Sequence, residues 1–157
     1  MRDDYLVFRD TLRAIDAASA RLNRDIRTAS GALLLSRTRA VRTACSNALR
    51  GVDSARRDLL ESPYAVRSPL RARNDVSKTQ SELRLALSQC VAEFEQYADP
   101  ARASAIRDTG TRSASDAVTV AKKFERAAEA FLGSLGITVR PYGAGDGPNP
   151  FAGSRAN

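Results

Sequence analysis

This sequence predicts an all-α protein, built as a four-helix up-down-up-down bundle, and three observations carry that expectation. First, Val76, Gln80, Leu83, Leu87, Cys90, Phe94 and Tyr97 recur at alternating spacings of four and three, which lays all seven on one stripe of a helix. Second, three other segments repeat that spacing, so the apolar stripes can cover one another. Third, aromatic residues make up only 6% and Trp is absent, a composition that suits helices better than sheets. A chain of 157 residues with 43% hydrophobic content suits one globular core. The alternative architecture is a pair of long helical hairpins that bury their stripes by packing as a dimer.

The first helix is expected from about Asp3 to Ala29. Tyr5, Phe8, Leu12, Ile15, Leu22 and Ile26 keep the spacing, with Ser19 filling one slot. Asp3 and Asp4 suit the positive end of its dipole, and Arg24 and Arg27 the negative end. At Ser30-Gly31 the phase slips by one residue. Gly31 is expected to end helix one in a left-handed cap and open a tight hairpin; one long kinked helix is the alternative. The second stripe is Leu34, Val41, Cys45, Ala48, Val52, Ala55 and Leu59, ending near Ser62. Ser68-Pro69 reads as an N-cap followed by a first-turn proline, which makes 62–68 the connection and Pro69 to about Ala98 the third helix.

Asp99-Pro100 repeats the cap-plus-proline signal, so the fourth helix is expected to start at once. Its stripe is Ile106, Gly110, Ser113, Ala117, Val120, Phe124, Ala127, Phe131 and Leu135. The weak helix formers Asp108 to Thr111 can break it, in which case Ser113 with Asp116 would recap the resumed helix. Gly133 and Gly136 mark its stop. The helical bundle therefore covers 1–135, and a flexible Gly/Pro-rich tail covers 136–157, anchored by Ile137, Val139 and Tyr142. The opening Met1-Arg2-Asp3-Asp4 is not expected to act as a secretory leader, and the longest apolar run, Ala32 to Leu35, is too short for a transmembrane segment. A cytoplasmic location is expected, with signal-independent secretion left open. Cys45 and Cys90 lie on apolar stripes and read as small buried side chains, with a disulfide between them geometrically open.

The chemistry is bounded chiefly by what is missing. There is no histidine, which removes the usual general base near neutral pH and the commonest metal ligand. No phosphate-cradling Gly-rich loop precedes a helix. No cofactor, metal site or catalytic residue is expected. The net charge of +7 is nearly all Arg, since Lys78, Lys122 and Lys123 are the lysines, and it favours an anionic partner. From Ile26 to Val52 there is no acidic residue, and Arg39, Arg42, Arg50 and Arg57 share one helix face away from the apolar stripe. Arg67, Arg71 and Arg73 would extend this candidate anion-binding ridge. No aromatic residue interleaves these arginines, so any binding would be to phosphates and steeply salt-dependent.

Three short patterns resemble known motifs. Leu12-Arg13-Ala14-Ile15-Asp16 resembles the first helix of chorismate mutases, which implies an Arg-lined site for an anionic substrate; the lysine and downstream Arg-Glu pair of those enzymes are not evident. Asn149-Pro150-Phe151 is similar to the tripeptide bound by EH domains of endocytic adaptors. Tyr142 followed by Asp146 resembles the Tyr-x-x-x-Asp/Glu export signal of type VII secretion substrates, without its accompanying Trp-x-Gly turn. The functional expectation is a non-enzymatic interaction or structural domain that contacts protein partners or self-associates. Electrostatic binding to nucleic acid or an anionic membrane surface through the ridge is the alternative.

Overall fold

A computed structural model describes residues 1–139. They form helices α1 (Arg2–Asp25), α2 (Gly31–Leu60), α3 (Leu70–Tyr97), α4 (Ile106–Thr109) and α5 (Arg112–Ser134), with no strand among the described residues. Short 3₁₀ turns occupy Ala65–Arg67 and Ala103–Ala105.

The apolar stripes are the core. All seven residues of the Val76–Tyr97 stripe are buried. So are Tyr5, Phe8, Leu12, Ile15, Ser19 and Leu22 on α1, while Ile26 is half-buried. On α2 the whole expected stripe is buried, and Thr38 fills its empty slot. The Thr38 hydroxyl donates to Tyr97 O at 3.0 Å, with Leu35 O at the same distance, which makes a polar side chain tolerable there. Gln80 is 6% exposed and donates to Asp53 Oδ1 across the α2–α3 contact at 2.7 Å, so this polar core position pins the register of two helices.

Side-chain pairs give the helix directions. Arg37 near the start of α2 meets Asp25 at the end of α1 at 2.8 Å. Thr38 meets Tyr97 and Asp53 meets Gln80, so α2 and α3 run antiparallel. Tyr5 reaches Glu129 and Asn23 reaches Thr111, so α1 and α5 do too. Ser113 at the start of α5 donates to Glu93 near the end of α3. Cys45 and Cys90, both fully buried, form a disulfide that joins α2 to α3 with Cα atoms 6.3 Å apart. The expectation of two unlinked small apolar side chains is thus corrected: the two helix stripes bring both thiols to the same height.

The corners differ in detail from the sequence reading. α1 stops at Asp25 rather than Ala29, and the next residues turn, with Ala29 N donating to Asp25 O at 2.8 Å. The carbonyls of Ile26 and Ala29 accept from the Arg107 guanidinium, which satisfies groups that a longer helix would have paired internally. Gly31 is the first residue of α2, not a left-handed cap of α1. Ser30 is the true N-cap, its hydroxyl accepting from Leu33 N at 3.2 Å. Ser68 does not cap α3 either: its hydroxyl donates to Ala65 O at 2.6 Å, and Pro69 occupies the cap position.

The expected fourth helix is split. Asp99 Oδ1 accepts from Ala101 N at 3.0 Å, but this turn leads only into the 3₁₀ turn and the single turn of α4. Gly110 then takes φ +79° and ψ −168°, a conformation open to glycine and closed to side chains with a Cβ. Past the break, Ala117, Phe124 and Phe131 keep the expected stripe, while the positions between them differ. On α5 the buried residues are Ala114, Ala117, Ala121, Phe124, Ala128, Phe131 and Leu132, while Ser113, Val120 and Ala127 are only half-buried. Ser113 with Asp116 does not recap the helix; Thr111 holds the cap position, its hydroxyl donating to Asn23 instead of capping the helix. α5 ends as a Schellman motif, with Gly136 at φ +78°, Gly136 N on Gly133 O at 3.0 Å and Ile137 N on Leu132 O at 2.9 Å. Ile137 and Val139 pack against the core. Among the described residues no helix is long and apolar enough to cross a membrane.

Candidate functional site

The Arg39/Arg42/Arg50/Arg57 ridge divides into two pairs. Arg39 Nε donates to Ala98 O at 3.1 Å, and Arg42 pairs with Glu95 Oε2 at 3.2 Å. Both therefore tie α2 to the C-terminal end of α3, where a cation also suits the dipole. Arg50 and Arg57 stay on the exposed face and fold back along their own helix. Arg50 donates to Ser46 Oγ at 3.3 Å and to Asn47, and Arg57 to Ser54 Oγ at 3.0 Å. The helix spacing does bring the four to one side of α2, but half of their charge is committed to holding α3.

Arg57 also borders an open groove of about 670 Å³ between α2 and α3. Arg56 and Arg84 share its lining with Asp53 and Glu61, three cations against two carboxylates. Arg84 Nε lies 3.6 Å from Asp53 Oδ2, and Gln80 holds the other Asp53 oxygen. The hydroxyls of Ser77, Ser81 and Ser88 add hydrogen-bonding groups, and Leu85, 61% exposed, stands beside them.

The most heavily connected polar cluster was not anticipated. Where α1 meets α5, the Tyr5 hydroxyl donates to Glu129 Oε2 at 2.6 Å, and Arg9 NH1 donates to the same oxygen at 3.1 Å. One turn on, Arg13 NH2 meets Glu125 Oε1 at 3.2 Å. Arg9 is 3% exposed, so its charge depends on this pairing. Burial keeps the Tyr5 phenol protonated far above its usual range, and the bond to Glu129 adds to this. Burial also raises Glu125 above its ordinary value, while the Arg13 bond pulls the other way. The available signal was the four-residue step of Tyr5, Arg9 and Arg13 matched by the four-residue step of Glu125 and Glu129.

A cavity of about 330 Å³ lies beside this cluster. It touches the segment that resembles chorismate mutases, through Leu12, Arg13 and Asp16. Its charged lining is balanced: Arg13, Lys122 and Arg126 face Asp16, Glu125 and Glu129. An anionic substrate would have to displace the Glu125 carboxylate from Arg13, so this lining does not favour one. No group of three or more His, Cys, Asp or Glu residues able to hold a metal ion occurs among the described residues. The tail patterns at Tyr142/Asp146 and Asn149-Pro150-Phe151 lie outside the described residues.

No protein-family model matches the chain, and no curated protein or solved structure matches it either.

Proposed function

We propose that this chain is a non-enzymatic interaction module: an up-down-up-down four-helix bundle that docks a protein partner, or a second copy of itself, in the α2–α3 groove. The antiparallel pairings of α1 with α2, α2 with α3, and α5 with α1 support the bundle. The observation that carries the functional reading is the groove itself. Arg56, Arg57 and Arg84 surround an exposed Leu85, a polar rim around an apolar contact of the kind that protein interfaces use. A partner presenting carboxylates around one apolar side chain fits it. The chain's lack of histidine and the matched charges of the α1–α5 cavity support a non-enzymatic role. The Cys45–Cys90 bond supports an oxidising compartment, and so favours the secretion left open by the sequence over the expected cytoplasmic location.

The test is site-specific photo-crosslinking. A photoreactive residue at position 85 is expected to give one adduct of defined mass, either a partner or a dimer, and the adduct is expected to vanish when Arg56→Glu and Arg84→Glu are added. The same residue at exposed Ala20 is the control. Equal labelling from both positions, or none from position 85, would refute the reading.

Attachment to an anionic polymer through the ridge is the second reading, favoured by the outward positions of Arg50 and Arg57. Duplex DNA binding that is lost in Arg50→Gln/Arg57→Gln and falls steeply with salt would support it. Binding indifferent to salt would remove it.

A further inference from the structure

The link between α2 and α3 and the first turn of α3 combine a cluster of exposed apolar side chains with a run of arginines. Tyr64, Val66 and Leu70 are 55%, 75% and 63% exposed, three of the six large apolar side chains left open to solvent among the described residues. The same segment, 62–74, carries Arg67, Arg71 and Arg73 and no acidic residue, with Glu61 and Asp75 just outside it. The 3₁₀ turn at Ala65–Arg67 holds Tyr64 and Val66 outward while Ala65 alone turns into the core. The Arg67 guanidinium lies over the Tyr64 ring, 5.5 Å from its centroid. Beneath the link, Tyr64 and Arg67 share a cavity of about 370 Å³ with Leu135 and Ile137 at the end of α5.

We infer that this tip inserts into the headgroup layer of an anionic phospholipid membrane. Tyr is an amphipathic ring suited to the lipid–water interface, and Val66 and Leu70 beside it supply apolar contact. The arginines supply attraction to anionic headgroups, each worth roughly a fivefold gain in binding near such a surface. Size decides between a membrane and a protein partner here. Three projecting side chains offer on the order of 300 Å² of apolar patch, short of the roughly 450 Å² of apolar area within the ~800 Å² per partner of a stable protein interface. A fluid lipid surface needs no complementary pocket and accepts a small convex tip. The tip is separate from the α2–α3 groove, so either can fail without the other.

Vesicle co-sedimentation and fluorescence test the inference. The chain has no Trp, so Tyr64→Trp places a single indole at the tip. Vesicles of phosphatidylcholine with about one-third phosphatidylserine are expected to sediment the protein and shift the indole emission to the blue. Phosphatidylcholine alone is expected to bind at least tenfold more weakly. Arg67→Gln with Arg71→Gln should weaken binding roughly 25-fold at two fivefold steps. Val66→Asp should weaken it at least tenfold and abolish the blue shift. All of these residues except half-buried Arg73 are exposed, so helix content by circular dichroism is expected to stay unchanged and to exclude unfolding as the cause. Binding without a blue shift, binding indifferent to Val66→Asp, or equal binding to both vesicle types would overturn the inference. So would acidic polypeptide that competes the protein off vesicles while itself producing the blue shift, because that would make the tip a protein-docking surface.

Discussion

Reducing the Cys45–Cys90 bond should remove a large part of the stability of this fold. The bond closes a loop of 45 residues that contains the second half of α2, the whole link and most of α3. In the chain-entropy account the unfolded state loses about 2.1 + 1.5R ln n cal/mol/K, which at n = 45 is about 13 cal/mol/K, or about 4 kcal/mol at room temperature. Total stabilities of single domains are about 5–15 kcal/mol, so this is a substantial fraction. Urea unfolding followed by circular dichroism reads it directly. With a denaturant slope of about 2 kcal/mol/M, a loss of 4 kcal/mol lowers the midpoint by about 2 M.

Three samples separate the contributions. The oxidised protein is expected to have the highest midpoint. The reduced protein should fall by about 2 M, since both sulfurs remain buried but the unfolded chain regains its freedom. Cys45→Ala/Cys90→Ala should fall at least as far, because the missing sulfurs also leave a cavity, and it should not respond to reductant. Coincident midpoints for oxidised and reduced protein would refute the reasoning. So would two free thiols titrated in denatured, unreduced protein, because then no bond existed to constrain the unfolded chain.

Other consequences follow from the break before α5 and from the α1–α5 cluster. Gly110→Ala forces a Cβ into a backbone region reserved for glycine and should cost about 1–3 kcal/mol, read as a fall of several degrees in Tm; an unchanged Tm would mean that the break relaxes freely. Glu125 has a folded value raised by burial, so its contribution is full below 4.5, its unfolded value, and is lost as pH rises through the folded value. Glu125→Gln should flatten this fall of stability across the mildly acidic range, and an unchanged pH profile would contradict the assignment. Tyr5 also has a raised folded value, so its contribution is present below 10.0 and lost as pH rises beyond it. Tyr5→Phe should cost about 1–2 kcal/mol at neutral pH, where Glu129 loses a donor, and should reduce the loss of stability at alkaline pH; identical alkaline unfolding of the two proteins would refute it.

The helices were legible because helical periodicity is a local property. The stripes of α1, α2 and α3 name buried residues almost without error, since each holds three–four spacing throughout apart from the slot that Thr38 fills on α2. α5 shows where that method fails. Ala117, Phe124 and Phe131 lie on the expected stripe and are buried, but between them the expected stripe steps by three to Val120 and Ala127, whereas the face that meets the core steps by four to Ala121 and Ala128. The run Ala114, Ala117, Ala121, Phe124, Ala128 and Phe131 keeps three–four spacing and is equally present in the sequence. The caps misled for a different reason. Ser30 and Ser68 are both plausible caps by type, and only the path of the neighbouring chain decides that one accepts from an amide and the other donates to a carbonyl. The ridge was legible as a helix face, but the pairing of Arg42 with Glu95 depends on the α2–α3 register, which no local pattern contains.

The two kinds of cross-link in this molecule fall where chain topology makes them useful. α2 and α3 are joined by a short link, and their contact is secured by a covalent bond and by Gln80 on Asp53. α1 and α5 come from opposite ends of the described chain, and bringing them together closes the longest loop. There the apolar packing of Phe8 on Phe124, edge to face at 5.7 Å, is accompanied by the Tyr5, Arg9 and Arg13 array against Glu125 and Glu129. Apolar contacts alone tolerate a slip of two helical turns, because Phe124 and Phe131 recur at that interval of seven residues. The polar array does not: a slip would leave Arg9 buried without its carboxylate, at a cost of about 3–5 kcal/mol. The array therefore selects the register in which the ends of the chain meet.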